Sequence, residues 1–222
     1  MMPKRTIKDH LEIEDLLREE YFELLPTIRC LAIQLETEIR SLTLPIMHSL
    51  RPYEKLVVKS RVKECESALN TLLGPKEGRT FDPAKAEGYS LSQLPDLAGV
   101  RVLVFPNLRL VQVDKVLRDR FADWKSKPIP YGSGSAKAPK YFGCCNEISR
   151  DIRCEYQVVP MLLGLFYEVE HSAMYKFRPA ANSTDMLNRR TNVEDSLISF
   201  EEGMEIFIRE NIGSDLEYPS EN

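Results

Sequence analysis

The sequence predicts an α+β fold, a mixed β-sheet flanked by helices, and three observations carry that expectation. Apolar residues recur at helical spacing towards both ends of the chain. Runs rich in β-branched residues are interleaved with helical segments through the middle. Two of these runs lie close together late in the chain, as a hairpin-like pair. With 222 residues, 43% hydrophobic and 29% charged, the composition is globular and the length suffices for one good core. A single domain over residues 1–222 is expected.

The elements follow in order. Residues 10–25 carry Leu11, Ile13, Leu16, Leu17, Tyr21, Leu24 and Leu25 at helical spacing. Pro26 suits the first turn of a second helix bearing Ile28, Leu31, Ile33, Leu35, Ile39 and Leu42. These form a helical lead-in over 8–50. A strand is expected at 55–62 (KLVVKSRV), a helix at 64–73, then a polar loop over 74–92. Residues 99–105 (GVRVLVF) make the strongest strand, followed by an amphipathic helix at 108–123. Residues 125–140 (KSKPIPYGSGSAKAPK) read as a loop with four lysines and no acid. Its GSGS centre suits either a solvated linker or a phosphate-binding loop. Strands near 142–148 and 152–159 precede a helix from Pro160 to about Lys176. The core thus spans 51–178. Residues 182–192 are polar and expected as loop, 193–210 as a last helix packed on its own domain, and 213–222 as a frayed acidic tail.

Composition excludes several classes. The longest uncharged apolar stretch, residues 158–167, contains Pro160 and Gly164 and is about half a membrane span. The opening residues, with Lys4, Asp9, Glu12 and Glu14, are too polar for a signal segment. Five cysteines without framework spacing suit reduced thiols, so a cytoplasmic protein without a membrane or disulfide scaffold is expected. The net charge of −4 argues against a general nucleic-acid coat, and no DNA partner is expected.

Several residues could carry chemistry. Asp96 precedes GVRVLVF, and Glu155 lies in IRCEYQVV; carboxylates on neighbouring strands can hold one magnesium ion together with phosphates. Each taken singly also fits a solvated strand-end acid. Glu155 and Gln157 share a face, which burial alone would make costly, so that face is expected to be wet. Arg61, Lys63 and Ser67, in SRVKECES, place cations and a hydroxyl near a helix start, suited to an anion or to an ordinary turn. His171, in EVEHSAMYK, is a ligand or proton carrier, or a surface histidine of its helix. Cys144 and Cys145 lack partners at zinc spacing, and neither a Walker loop nor a G-x-G-x-x-G is present.

Read together, SRVKECES, PDLAGVRVLVF, KAPKYFGCC, RCEYQVVP and EVEHSAMYK resemble the RelA/SpoT synthetase family over about residues 11–178. The resemblance implies a nucleotidyltransferase-like sheet and transfer of the β,γ-pyrophosphate of ATP to the 3′-hydroxyl of a purine nucleotide, making an alarmone. It implies ATP binding by Arg61, Lys63 and Ser67, with Arg109 as a second arginine on the adenine. Asp96 and Glu155 are implied as magnesium ligands, Glu155 also as the proton acceptor. Lys137, Tyr141, Gln157 and His171 are implied on the acceptor side, Tyr141 stacking on its base, with Lys125 and Lys127 as looser candidates. Thr71, Pro139, Lys140 and Cys145 replace a lysine, an asparagine, a glycine and a histidine of the family pattern. The acceptor is therefore open: GDP or GTP, an adenine nucleotide or, in a toxin, the 3′ end of tRNA. A degenerate nucleotide-binding protein is the remaining alternative. No hydrolase domain is expected, and terminal helices leave room for a homo-oligomer.

Overall fold

The computed structural model describes residues 10–74, 88–130, 132–134, 137–145, 152–176 and 184–212. The expected loop over 75–87, the strand end at 146–148 and the tail from 213 lie outside the described residues. The chain opens with α1 (His10–His48), one helix of 39 residues where two were expected. Its buried stripe of Ile13, Leu17, Tyr21, Ile28, Leu31, Leu35, Ile39 and Ile46 keeps helical period straight through Pro26. Pro26 and Pro45 both face solvent, where the carbonyl that loses its N–H partner can bond water.

Five strands follow: β1 (Lys55–Val62), β2 (Ala98–Phe105), β3 (Lys125–Pro130), β4 (Lys137–Gly143) and β5 (Cys154–Pro160). They form one sheet in the order β1-β2-β5-β4-β3. Only β2 and β5 pair in parallel. Between them run α2 (Cys65–Leu73), a 3₁₀ turn at Leu91–Gln93 and α3 (Leu108–Arg120). One face of the sheet, with Leu56, Val58, Val100, Val102, Val104, Tyr156 and Val158, forms the main core with α1 and with Val113, Leu117 and Phe121. The opposite face is divided. Its lower half, Leu103, Val159 and Ala138, packs with Met161 of α4 (Met161–Lys176). Its upper half carries the charged residues.

The lysine-rich segment is therefore largely an edge hairpin rather than a loop. β3 and β4 pair from Lys125↔Phe142 to Pro130↔Lys137, with Pro128 opposite Pro139. Prolines and lysines suit an edge strand, which must not recruit further strands. Where β4 ends, the indole of Trp124 lies against Gly143; a Cβ there would collide with the ring. Trp124 also touches Phe121 and Tyr156, at 4.9 and 5.4 Å between ring centroids.

The last helix, α5 (Thr184–Ile212), begins nine residues before the expected start. Charge pairs support its polar first turns: Asp185 with Arg189, Arg190 with Glu194, and Arg190 with Glu170 of α4. Its expected packing also differs. Phe200, Met204, Ile206 and Phe207 are exposed, whereas Glu194 and Glu201 are buried. The inward carboxylates accept backbone N–H groups: Glu201 from Leu162 (2.6 Å), Glu205 from Asn107, Glu194 from Gly132 (2.7 Å) and Asp195 from Ser133 (2.7 Å). Unpaired N–H groups at the starts of α3 and α4 attract carboxylates. Among the described residues no helix is long and apolar enough to cross a membrane.

Candidate active site

Strand register brings the site together. Across the upper sheet, Arg61, Gly99, Glu155, Phe142 and Lys125 stand in one row, and Lys59, Arg101, Gln157, Lys140 and Lys127 in the next. All these side chains leave the face opposite the main core, because the pleat alternates. Gly99 separates Arg61 from Glu155 and has no side chain to block the way; a Cβ would lie 3.2 Å from the Arg61 Nε. Arg61 therefore reaches over β2 and donates from its Nη2 to Glu155 at 2.9 Å.

Glu155 is 3% exposed, and Lys140 donates to both of its oxygens, at 3.0 and 3.2 Å. Asp96, in the turn before β2, accepts from Lys63 at 2.7 Å and lies 4.0 Å from Arg61. Only its Oδ2 is so engaged; Oδ1 is buried and has no hydrogen-bond partner among the described residues. Lys63 is fixed because its N–H extends the sheet to Leu97 (2.9 Å) and its carbonyl accepts the Tyr21 hydroxyl (2.9 Å).

Two cavities flank this charged seam. The first, of about 440 Å³, is lined by Asp96, Glu155, Lys127, Lys140, Phe142 and Thr71, among others. The second, of about 240 Å³, is lined by Arg61, Lys63, Arg101, Tyr167 and neighbours. Arg101 donates to the Gly164 carbonyl at 3.3 Å and lies 6.0 Å from the Tyr167 ring centre. Burial, and then the nearby Arg61 charge, lower its pKa from the usual arginine value.

Of the expected residues, Arg61, Lys63, Asp96, Glu155 and Gln157 converge on this face. Gln157 is 3% exposed, between Arg101 and Lys140 in register. Three others do not converge. Arg109 is buried on α3, where its guanidinium forks onto Glu54 at 2.9 and 3.2 Å and donates to Gln112 at 2.9 Å. It lines neither cavity, so it cannot stack on a base there. Tyr141 has the parity of Tyr156, not of Glu155: its ring stacks on Tyr156 at 4.5 Å and its hydroxyl donates to Asp114 at 2.8 Å. Burial and that carboxylate push its pKa well above the usual tyrosine value. Ser67 is 1% exposed inside the first turn of α2 and lines neither cavity.

Lys137 lies at the start of β4 and His171 on α4; their side chains fall outside the described residues. Lys127 lines the larger cavity, while Lys125 faces a different one beside Trp124. The reading of the sequence missed Arg101, Lys140 and Phe142. The signal was there: Arg101 is two residues past Gly99, and Lys140 and Phe142 alternate onto the face of Glu155.

Asp96 and Glu155 suit a magnesium ion. Carboxylate oxygens are its preferred ligands, and the Asp96 Oδ1 is a buried acceptor without a partner among the described residues. Among the described residues no three His, Cys, Asp or Glu side chains form a metal cage. Two carboxylates plus phosphates and water are the usual arrangement for magnesium at nucleotides.

No protein-family model matches the chain, and no curated protein does. Solved structures do. The small alarmone synthetase 1 from Bacillus subtilis bound to its product pppGpp is similar with a TM-score of 0.63 and 16% identity, over 88% of this chain and 100% of that one. The small alarmone synthetase 2 of that organism gives 0.59 and 17%, over 86% and 99%. A GTP pyrophosphokinase family protein from Streptococcus pneumoniae gives 0.53 and 21%, over 92% and 96%. At these identities the likeness speaks for architecture, and by it this chain has the fold of the small alarmone synthetases.

Proposed function

We propose that the protein is a pyrophosphokinase that moves the β,γ-pyrophosphate of ATP to the 3′-hydroxyl of a purine nucleotide, with GDP or GTP as the first candidates. The observation that carries this reading is the seam of Asp96 and Glu155 between two cavities that are both lined by cations. Such a seam suits a transfer in which donor and acceptor meet at carboxylates. The alarmone synthetases that share the fold support the same class of reaction.

In this reading Arg61 and Arg101 flank the adenine of ATP, whose π-faces attract guanidinium groups. Lys63 meets the donor phosphates, and Lys127 and Lys140 meet the acceptor. Asp96 and Glu155 hold magnesium, which when bound neutralises charge on the donor phosphates. Glu155 takes the proton of the acceptor 3′-hydroxyl as its oxygen attacks the β-phosphorus and AMP leaves. The fixed cations around the seam stabilise the charge that spreads over the transferring group, and they need no reorganisation to do so.

The test is direct. Purified protein is incubated with ATP, magnesium and GDP, GTP, ADP or a tRNA, and products are separated by anion exchange and identified by mass spectrometry. A 3′-pyrophosphorylated nucleotide with stoichiometric AMP is expected. Asp96→Asn and Glu155→Gln should each lower turnover by on the order of 10²–10³-fold while leaving the far-ultraviolet circular dichroism unchanged. Formation of no AMP with any acceptor would leave a nucleotide-binding protein instead, and a tRNA product would make the RNA end the substrate.

A further inference from the structure

The two carboxylates of the seam are not equally available. Asp96 gives one oxygen to Lys63, and its other has no hydrogen-bond partner among the described residues. Both Glu155 oxygens are engaged: Oε1 accepts from Arg61 and Lys140, and Oε2 accepts from Lys140. The two cations differ in kind. Arg61 lies over Gly99 as a planar fork beside β2, whereas Lys140 is a point charge on a flexible stem that lines the acceptor-side cavity. Lys140 also stands opposite Lys127 on the neighbouring strand, facing the same cavity. Like charges directly opposite each other in a sheet are destabilising unless an anion sits between them. Glu155 meets Lys140's demand from one side, and a polyphosphate in the cavity would meet it from the other.

Resting on the pyrophosphokinase reading, we propose that Lys140 is a latch on Glu155: it withholds the carboxylate from metal and from the acceptor hydroxyl until an acceptor bearing a 5′-phosphate draws the ammonium away. The acceptor thereby completes the site that acts on it. Nucleosides without phosphate leave the latch closed, and ATP alone leaves Glu155 masked, which limits wasteful transfer to water. Lys140 is a specificity residue in this scheme, and the class it selects is the 5′-phosphorylated nucleotide.

Manganese binding to the nucleotide-free protein, followed by electron paramagnetic resonance, tests the latch without any turnover. Lys140→Gln should bind Mn²⁺ about tenfold more tightly than the parent. Lys127→Gln, which does not touch Glu155, should stay within about twofold of the parent. Lys140→Arg keeps the charge, should leave binding at the parent's level or weaker, and serves with Lys140→Met if the glutamine variant does not fold. In the transfer assay, the preference for GDP over guanosine, or for ADP over adenosine, should narrow in Lys140→Gln. Equal or weaker Mn²⁺ binding in Lys140→Gln and Lys140→Met overturns the latch even if AMP and product form normally. Tighter binding in a protein that forms no AMP with any acceptor keeps the latch as a gate on metal binding, and overturns the reaction and the acceptor's role instead.

Discussion

The two faces of the sheet are made from the same strands and obey opposite rules. On the core face, Val58, Val100, Val102, Tyr156 and Val158 are almost fully buried in one apolar cluster, the Tyr156 ring packing against Phe121, Trp124 and Tyr141. On the other face, at alternate positions along the same strands, Arg61, Arg101, Glu155 and Gln157 are partly or fully withdrawn from water; Glu155 is held by Arg61 and Lys140, and Arg101 donates to the Gly164 carbonyl. The first face is held by area, at roughly 25 cal/mol per Å² of apolar surface. The second is held by charge pairing, whose net value is small and whose failure is costly. The difference teaches that a single pleat can carry a rigid support and a responsive surface, with no hinge between them.

The sharpest test of that division compares two arginines. Arg109 belongs to the supporting side, where Glu54 is fully buried beneath it. Arg109→Ala takes the guanidinium from that buried carboxylate, which keeps the Arg51 N–H at 2.9 Å, and should cost about 3 kcal/mol in urea unfolding, with ATP affinity of the remaining folded protein unchanged. Arg101→Ala should do the reverse: little change in the unfolding midpoint and a loss of about 1–2 kcal/mol in ATP binding by titration calorimetry. If Arg109→Ala instead lost ATP affinity while folding normally, the assignment of the two faces would be wrong.

A second test uses pH, because a buried carboxylate of α5 holds the start of α4 beside the charged face. Burial raises the pKa of Glu201 to about 7, against 4.5 for an ordinary glutamate. The folded protein then holds this proton more tightly than the unfolded chain does. The protonated form's stabilising contribution is complete below pH 4.5 and is lost as pH rises through about 7. Glu201→Gln cannot ionise, so the fall in stability between pH 5 and 8, on the order of 2–3 kcal/mol in the parent, should flatten. Thermal melts of both proteins across that range measure it; parallel curves would remove Glu201 from the account.

The smallest effect separates Tyr141 from Phe142. Tyr141→Phe loses one hydrogen bond to Asp114 and should cost about 1 kcal/mol of stability with no change in the KM for acceptor. Phe142→Ala should raise that KM if the larger cavity, which its ring lines, holds the acceptor as proposed. The opposite pattern would return the base-stacking role to Tyr141.

How far the sequence reveals this follows from what each signal depends on. β1 and β2 lie where their β-branched runs place them, within a residue of expectation, and Asp96, Glu155, Arg61 and Lys63 converge as their motifs imply. Pro26 suggests a boundary between two helices, yet the buried stripe of α1 runs through it in phase. The β3–β4 hairpin was hidden by its glycines and lysines, which suit an edge strand as well as a loop. The start of α5 was hidden because ion pairs, not apolar spacing, support its first turns. Arg109 and Tyr141 were misplaced for a different reason. Matching a residue type to a motif says nothing of which way a side chain points: one step along β4 reverses the answer for Tyr141, and on α3 Arg109 turns to Glu54.

The contact between Trp124 and Gly143 has a practical consequence for anyone who studies this molecule. The chain has a single tryptophan. It lies at the junction of α3 with the edge hairpin, pressed to the strand that carries both Lys140 and Phe142. Its emission is therefore a native optical gauge of how that hairpin sits, uncontaminated by any other indole, and rapid-mixing experiments can test without a label whether a nucleotide moves it.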